Sequence, residues 1–302
     1  MKRNLALILV LALVVLSLSA CGGSSSAPAA TAAPTEAPAT EAPAATEAPA
    51  ATEAPAEPVK LVVGASSTPH GELLEIVKPV LAQQNIDLEI VIYDDYVLPN
   101  TALQDGTLDA NYFQHAPYMN SFNASNGTDL VSAGLVHYEP MGIYSSSLKD
   151  LKDLAAGATI LVPDDESNQT RALLLLQQEG LIVLPEGASV DTAPSVLDIK
   201  DAKGYNVQAA QADAVPSLLA NSAEGTIAVI NYNYALNAGF KTTDALAIED
   251  ASGNATQTYA NLVAVRRGDE SRPEIVALVK ALQDGAVDTF NANTGAGIVA
   301  IK

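Results

Sequence analysis

Two periodicities alternate along most of this chain. Short apolar runs bounded by turn residues predict strands at Lys60–Gly64, Leu88–Tyr93, Asp109–Tyr112, Leu130–His137, Ala158–Val162, Tyr205–Gln208, Thr226–Ile230 and Tyr259–Val265. Between them, apolar residues three and four apart predict helices at Gly71–Gln84, near Thr101, from about Pro117, and at Gln169–Glu179, Asp213–Asn221, Tyr232–Ala238, Pro273–Asp284 and Ala286–Asn293. Strands separated by helices imply parallel sheets joined by right-handed crossovers. Two such series in succession favour two α/β lobes over one large sheet.

The first 58 residues follow neither period. Lys2 and Arg3 precede an unbroken apolar run, Leu5–Leu16, and then Ser17-Leu-Ser-Ala-Cys21. That is the layout of a secretory leader over residues 1–20, too short to span a bilayer comfortably. From Gly22 to Pro58 the chain is Ala, Pro, Thr, Ser and Glu, with Thr-Glu-Ala-Pro repeated at 35–38, 40–43, 46–49 and 52–55. Almost no large apolar side chain is available there to offset the entropy of ordering, so residues 21–58 are expected to form a disordered tether. As a flexible coil it would reach about 35 Å.

Charge narrows the function classes. The 302 residues carry 15 Lys+Arg against 35 Asp+Glu, a net −20, which argues against nucleic-acid binding because that needs a basic face. The first 58 residues hold two of the basic and five of the acidic residues, so Val59–Lys302 keeps −17. One Cys rules out an internal disulfide or a Cys-based metal site within the chain.

In open α/β sheets, ligands bind beyond the carboxyl ends of the strands. After Ala158–Val162 stands Pro163-Asp-Asp-Glu-Ser-Asn168-Gln-Thr-Arg171; Asn168 reads as an N-cap, which places Arg171 in the first turn of the helix. There a cation opposes the helix dipole, and either a ligand carboxylate or pairing with Asp164, Asp165 or Glu166 relieves the conflict. Tyr96, Phe113, His115 and Tyr118 follow two other strands and can line an apolar pocket or simply belong to the core. Asn231 and Asn233 follow Thr226–Ile230, as ligand amides or as a helix cap.

Several runs together resemble the NlpA/MetQ family of methionine-binding lipoproteins: Tyr96-Val-Leu-Pro-Asn-Thr-Ala-Leu103, Leu108-Asp-Ala-Asn-Tyr-Phe-Gln-His115, His137-Tyr-Glu-Pro-Met-Gly-Ile-Tyr144, Asn168–Gln177 and Ala228–Ala235. Leu18-Ser-Ala-Cys21 likewise resembles a bacterial lipobox, which implies that Cys21 is the lipidation site and that the protein stands on the extracytoplasmic side of the cell membrane. Two or more acyl chains make such an anchor stable. The resemblance implies an α/β, two-lobed type II periplasmic-binding-protein fold with ligand in the inter-lobe cleft. Residues 59–144 plus 244–302 would form one lobe and 145–243 the other. It implies a non-enzymatic receptor that captures methionine and passes it to the permease and ATPase subunits of an ABC importer, without a cofactor. Arg171, supported by Asn168, would hold the carboxylate. Asn231 matches the family's binding Asn, Tyr96, Phe113 and His115 its side-chain pocket, and Asn261 a further position.

The chain departs from the family in two places. Ala214-Val-Pro-Ser217 lacks the Arg of the family's Gln-Leu-Pro-Arg, and Gly253-Asn-Ala-Thr-Gln-Thr stands where the family is short. Both leave room for a methionine derivative or a methionine-containing dipeptide as ligand. Two other classes compete. Ser146-Ser-Leu-Lys149 is a bare Ser-x-x-Lys of the hydrolase type without companion motifs. A metal receptor would have to draw on the widely spaced His70, His115 and His137 with acidic partners.

Overall fold

The computed structural model describes residues 57–250 and 254–301. The leader over residues 1–20, Cys21, nearly all of the tether and residues 251–253 lie outside them. The strands are β1 (Val59–Ala65), β2 (Ile86–Ile92), β3 (Ala110–His115), β4 (Leu130–Tyr138), β5 (Gly142–Ser145), β6 (Thr159–Pro163), β7 (Asn206–Ala210), β8 (Ile227–Ile230), β9 (Ala247–Ile248), β10 (Ala260–Arg266) and β11 (Val299–Ala300). The helices are α1 (Glu72–Ala82), α2 (Leu98–Gln104), α3 (Ala116–Asn126), α4 (Glu166–Gln178), α5 (Val215–Ala220), α6 (Tyr232–Asn237), α7 (Asn254–Thr258), α8 (Pro273–Ala281) and α9 (Val287–Thr294).

The strands form two sheets, ordered β11-β4-β10-β3-β1-β2 and β7-β6-β8-β5-β9. Each has a parallel heart, β3-β1-β2 and β7-β6-β8. Neither is parallel throughout, contrary to the expectation from sequence. β10 runs antiparallel to β3 and β4, and β5 antiparallel to β8 and β9. The cause is connectivity. The chain leaves the first sheet after β4, crosses through Glu139-Pro-Met141 into β5, and returns after β9 to enter β10 from the opposite direction.

Both sheets are covered on both faces, and the strands show it residue by residue. In β6 and β8, Ile160, Val162, Ile227 and Val229 face a cluster with the α4 leucines, whereas Leu161, Ala228 and Ile230 face Val215 and Leu219 of α5 and Tyr234 of α6. In the first sheet, Leu61, Val63 and Ala65 pack on α1, α8 and α9, while Leu262 and Ala264 face Leu103 of α2 and Met119 of α3. Burial on both faces is what a parallel central strand requires. Gly64 allows a close approach: a Cβ there would stand 2.5 Å from Leu108 Cδ1.

The three histidines lie inside this framework, His70 and His137 at 0% and His115 at 5% exposure. Burial lowers their pKa values to about 4, 3 and 3 for His70, His137 and His115, respectively. Among the described residues no helix is long and apolar enough to cross a membrane.

Two predictions follow from the packing. On α8, Leu278 is fully buried and Val276 is 52% exposed. Leu278→Ala should cost about 2–5 kcal/mol in denaturant unfolding and Val276→Ala less than about 0.5 kcal/mol. The second concerns acid. Unfolded histidine takes a proton near pH 6.5, whereas the folded ones resist it down to about pH 4 or 3. The unfolded chain therefore binds more protons in that window. Stability should be full above about pH 6.5 and fall below it by up to about 1.4 kcal/mol per pH unit for each histidine. Glu139, whose carboxyl pKa burial raises, opposes part of this. A stability that stays flat from pH 7 to pH 5 would contradict neutral buried imidazoles.

Candidate functional site

The sequence ties Arg171 to helix α4, and the cap of that helix sets where the guanidinium points. Asp165, in extended conformation, is the N-cap; its carboxylate accepts from the Asn168 backbone N–H at 3.0 Å and from Asn168 Nδ2 at 3.0 Å. Asn168 is therefore inside the first turn instead of capping it, and Arg171 lies in the second turn. This corrects the expectation from sequence, because the acidic run Asp164-Asp-Glu supplied a cap three residues earlier. Nor does Arg171 pair with those local carboxylates. Its Nε lies 3.0 and 2.9 Å from the two oxygens of Glu249, Nη2 bonds the same carboxylate, and Nη2 also donates to the Glu139 carbonyl at 2.7 Å. The guanidinium faces the Tyr259 ring at 4.3 Å and the Tyr138 ring at 5.6 Å.

Arg171 is 4% exposed, so its charge depends on these partners. Burial works against the cation, and Glu249, with help from Tyr138 and Tyr259, more than reverses that and raises its pKa. For Glu249, burial acts to raise the carboxyl pKa, and Arg171 outweighs it and lowers it. Tyr138 Oη, at 2.5 Å, and the Met141 N–H, at 3.3 Å, also donate to Glu249. Among the described residues, the hydrogen bonds of the guanidinium run through Nε and Nη2.

Asn168 is the second junction. Its Oδ1 accepts from Asn231 Nδ2 at 2.8 Å and contacts His115 Nε2 at 3.2 Å. His115 caps α3, its Nδ1 accepting from the Tyr118 N–H at 3.2 Å. That fixes the tautomer: Nε2 carries the hydrogen and donates to Asn168. His115 comes from the first sheet and Asn168 and Asn231 follow strands of the second, so this bond bridges the two. An aromatic cluster stands beside it. The Tyr96 ring lies 4.7 Å from Tyr234, 5.5 Å from Tyr118 and 5.6 Å from Phe113, and its hydroxyl donates to Asn233 Oδ1 at 2.6 Å.

Tyr96, Phe113, His115, Asn168, Arg171, Asn231 and Asn261 all line one cavity at the carboxyl ends of strands from both sheets. Its walls bound about 340 Å³ including the opening, but the room inside is only about 20 Å³, enough for roughly one water. Two wall atoms are buried without a hydrogen-bond partner among the described residues: Asn231 Oδ1, an acceptor, and Asn233 Nδ2, a donor. Unpaired buried groups of this kind are costly unless a bound molecule engages them.

Sequence reasoning missed four contributors, among them Tyr232 in the cavity wall. Glu139 and Gln114 line the same cavity, and Glu249 holds Arg171 from behind. Glu139 lies in a crossover without periodicity, and Glu249 stands at the edge of the stretch that departs from the family, where local pattern gives no sign of its distant partner. Ser217, at the position of the missing Arg, is exposed on α5 and does not line the cavity. Ser146 and Lys149 are exposed away from it as well. Among the described residues, one group has metal-donor geometry: His70, His137 and Glu139, with donor atoms within 4.8 Å of one another. Each of these is already engaged in hydrogen bonds.

Comparison with known proteins agrees with this architecture. The chain is 39% identical over 231 residues to the membrane lipoprotein TpN32 of Treponema pallidum, covering 76% of this chain and 82% of that one. It is 39% identical over 237 residues to the methionine-binding lipoprotein MetQ of Bacillus subtilis, covering 76% and 84%. A nutrient-binding protein from Burkholderia cenocepacia, solved bound to methionine, superposes with a TM-score of 0.74 at 39% identity over 80% of this chain and all of that one. The fold is thus the two-lobed one of binding proteins, as the sequence led us to expect. Residues 61–300 match the model of the NlpA lipoproteins, and the chain belongs to that family.

Proposed function

We propose that this protein is a solute receptor that captures methionine, in its L or D form, between two lobes and delivers it to the permease and ATPase of an ABC importer. Its family supports a substrate-binding role, and relatives are named for methionine. The observation that carries the reading is the convergence of seven side chains, scattered from Tyr96 to Asn261, on one cavity lined by the buried Arg171 and by the rings of Tyr96, Phe113 and Tyr118. Arg171 Nη1 and Asn233 Nδ2 would donate to the carboxylate, and Asn231 Oδ1 would accept from the amino group. The rings of Tyr96, Phe113 and Tyr118 suit a thioether, whose sulfur is polarizable and favours aromatic neighbours.

The two sheets would be the bodies of the lobes, near the divisions 59–144 plus 244–302 and 145–243. With so little room in the cavity, ligand entry requires hinge opening at the two crossovers, and contacts to both lobes would favour closure. Relatives named as binding lipoproteins favour binding over catalysis. Lipidation at Cys21 would hold the receptor at the outer face of the cell membrane, with residues 22–58 as the tether.

Calorimetric titration of purified protein, unfolded and refolded to remove bound solute, should give saturable heat with methionine. Silence with both enantiomers alongside clear binding of an unrelated solute would sink the reading. In the same assay Arg171→Gln should weaken binding at least about 30-fold, the equivalent of about 2 kcal/mol for charge-assisted bonds to the carboxylate. Cys21→Ala, expressed in a bacterium with lipoprotein processing, should shift the protein from the membrane pellet to the soluble fraction. Continued sedimentation with membranes would show that Cys21 is not the anchor.

A further inference from the structure

A second space adjoins Arg171. It is a groove with about 240 Å³ of room, and Arg171 is the one residue that lines both it and the cavity. Leu174 and Leu175 line it from α4, Ala255 from α7, and Val190 from the loop after α4; Glu249 and Tyr259 complete the part nearest the guanidinium. The groove therefore has walls from both 145–243 and 244–302.

Tyr259 is the residue that makes this more than a surface recess. It is 3% exposed, and its hydroxyl is buried without a hydrogen-bond partner among the described residues. The ring is held by the Arg171 guanidinium at 4.3 Å and by the His115 ring at 5.2 Å, contacts a phenylalanine would make equally well. The hydroxyl adds to them only the cost of an unpaired buried group, which a bound molecule would remove. Burial raises its pKa to about 12, so it stays protonated and has a hydrogen to donate.

The rest of the lining defines the class of molecule. Its two charges, Arg171 and Glu249, are paired with each other, and its remaining polar side chains, Gln178 and Thr258, are neutral. An ion placed there would lose water and gain no counter-charge. The other contacts are aliphatic. An apolar cavity of about 150 Å³ accommodates benzene, so this groove has room for one ring with a small substituent.

We propose that the groove is a second small-molecule site, distinct from the cavity, for a neutral, ring-sized, mainly apolar molecule carrying one hydrogen-bond acceptor that meets Tyr259 Oη. An occupant touching both walls favours the arrangement that holds them together, and through Arg171 it strengthens binding in the cavity, as the cavity ligand in turn strengthens binding in the groove. This coupling rests on the reading of the cavity as a receptor site; the second site does not.

The test is a fluorine NMR titration of the purified protein with 4-fluorophenol and with fluorobenzene, which lacks the hydroxyl. The wild type should bind both saturably and 4-fluorophenol about fivefold more tightly, the worth of one neutral hydrogen bond. Tyr259→Phe should bring the two to within about twofold of each other and melt no lower than the wild type, because the lost hydroxyl had no partner. Ala255→Phe, which fills the groove, should abolish saturable binding of both compounds and leave methionine affinity within about twofold. Leu174→Trp fills it from α4 and serves where the Ala255 variant does not fold. No saturable binding to the wild type, undiminished binding to the filled variants, or an unchanged preference in Tyr259→Phe overturns the proposal. Saturating methionine should tighten 4-fluorophenol binding at least about fivefold; an unchanged affinity overturns the coupling. Loss of methionine binding alone, with 4-fluorophenol behaving as expected, overturns the receptor reading and supports the second site.

Discussion

A guanidinium buried in a protein of net charge −20 must be surrounded before the chain can fold around it, and Arg171 meets that condition by drawing on segments far apart in sequence. Removing a cation from water costs several kcal/mol, and leaving it with one partner missing costs about 3–5 kcal/mol. The carboxylate of Glu249 and the carbonyl of Glu139 supply what water supplied, and the Tyr259 and Tyr138 rings cover the remaining faces. Glu139 is on the chain segment leaving the first sheet, and Glu249 is on the one coming back. Compensating this one charge therefore pins both crossovers to helix α4 at the point where the sheets meet.

The cavity follows from that arrangement. Arg171, held through Nε and Nη2, lines the cavity wall. Asn168, one turn earlier, bonds His115 from the first sheet and Asn231 from the second. Neutral imidazoles make this possible, since a protonated His115 beside Arg171 would add repulsion to a buried site; burial and Arg171 both lower its pKa. The same logic places His70 and His137 as neutral donors around Glu139. A cleft built this way has few free polar atoms, and those few are what a ligand must satisfy.

Much of this was readable from the chain. The long strands and helices announced themselves by period, and the seven candidate residues all reached the same cavity. What escaped was short or non-local. β5, β9 and β11 have four, two and two residues, too few to display a period, and they are held by pairing with strands that sequence places elsewhere. The antiparallel direction of β10 was equally hidden, because strand direction depends on the route of the return crossover and not on the composition of the strand. The cap of α4 was misplaced by three residues because Asp165 and Asn168 are both good caps, and only the backbone geometry chose between them.

The sequence by itself determined the elements, the two α/β series and which side chains stand at strand ends, since these depend on side-chain spacing of one to four residues. The tertiary structure alone decided the charge balance of the site. Arg171 had three acidic neighbours within seven residues and pairs with none of them; its partner lies 78 residues away. Glu139 gained its place in the wall from a crossover with no pattern of its own. Electrostatic pairing in a buried site depends on where distant segments return, and local periodicity carries no record of that.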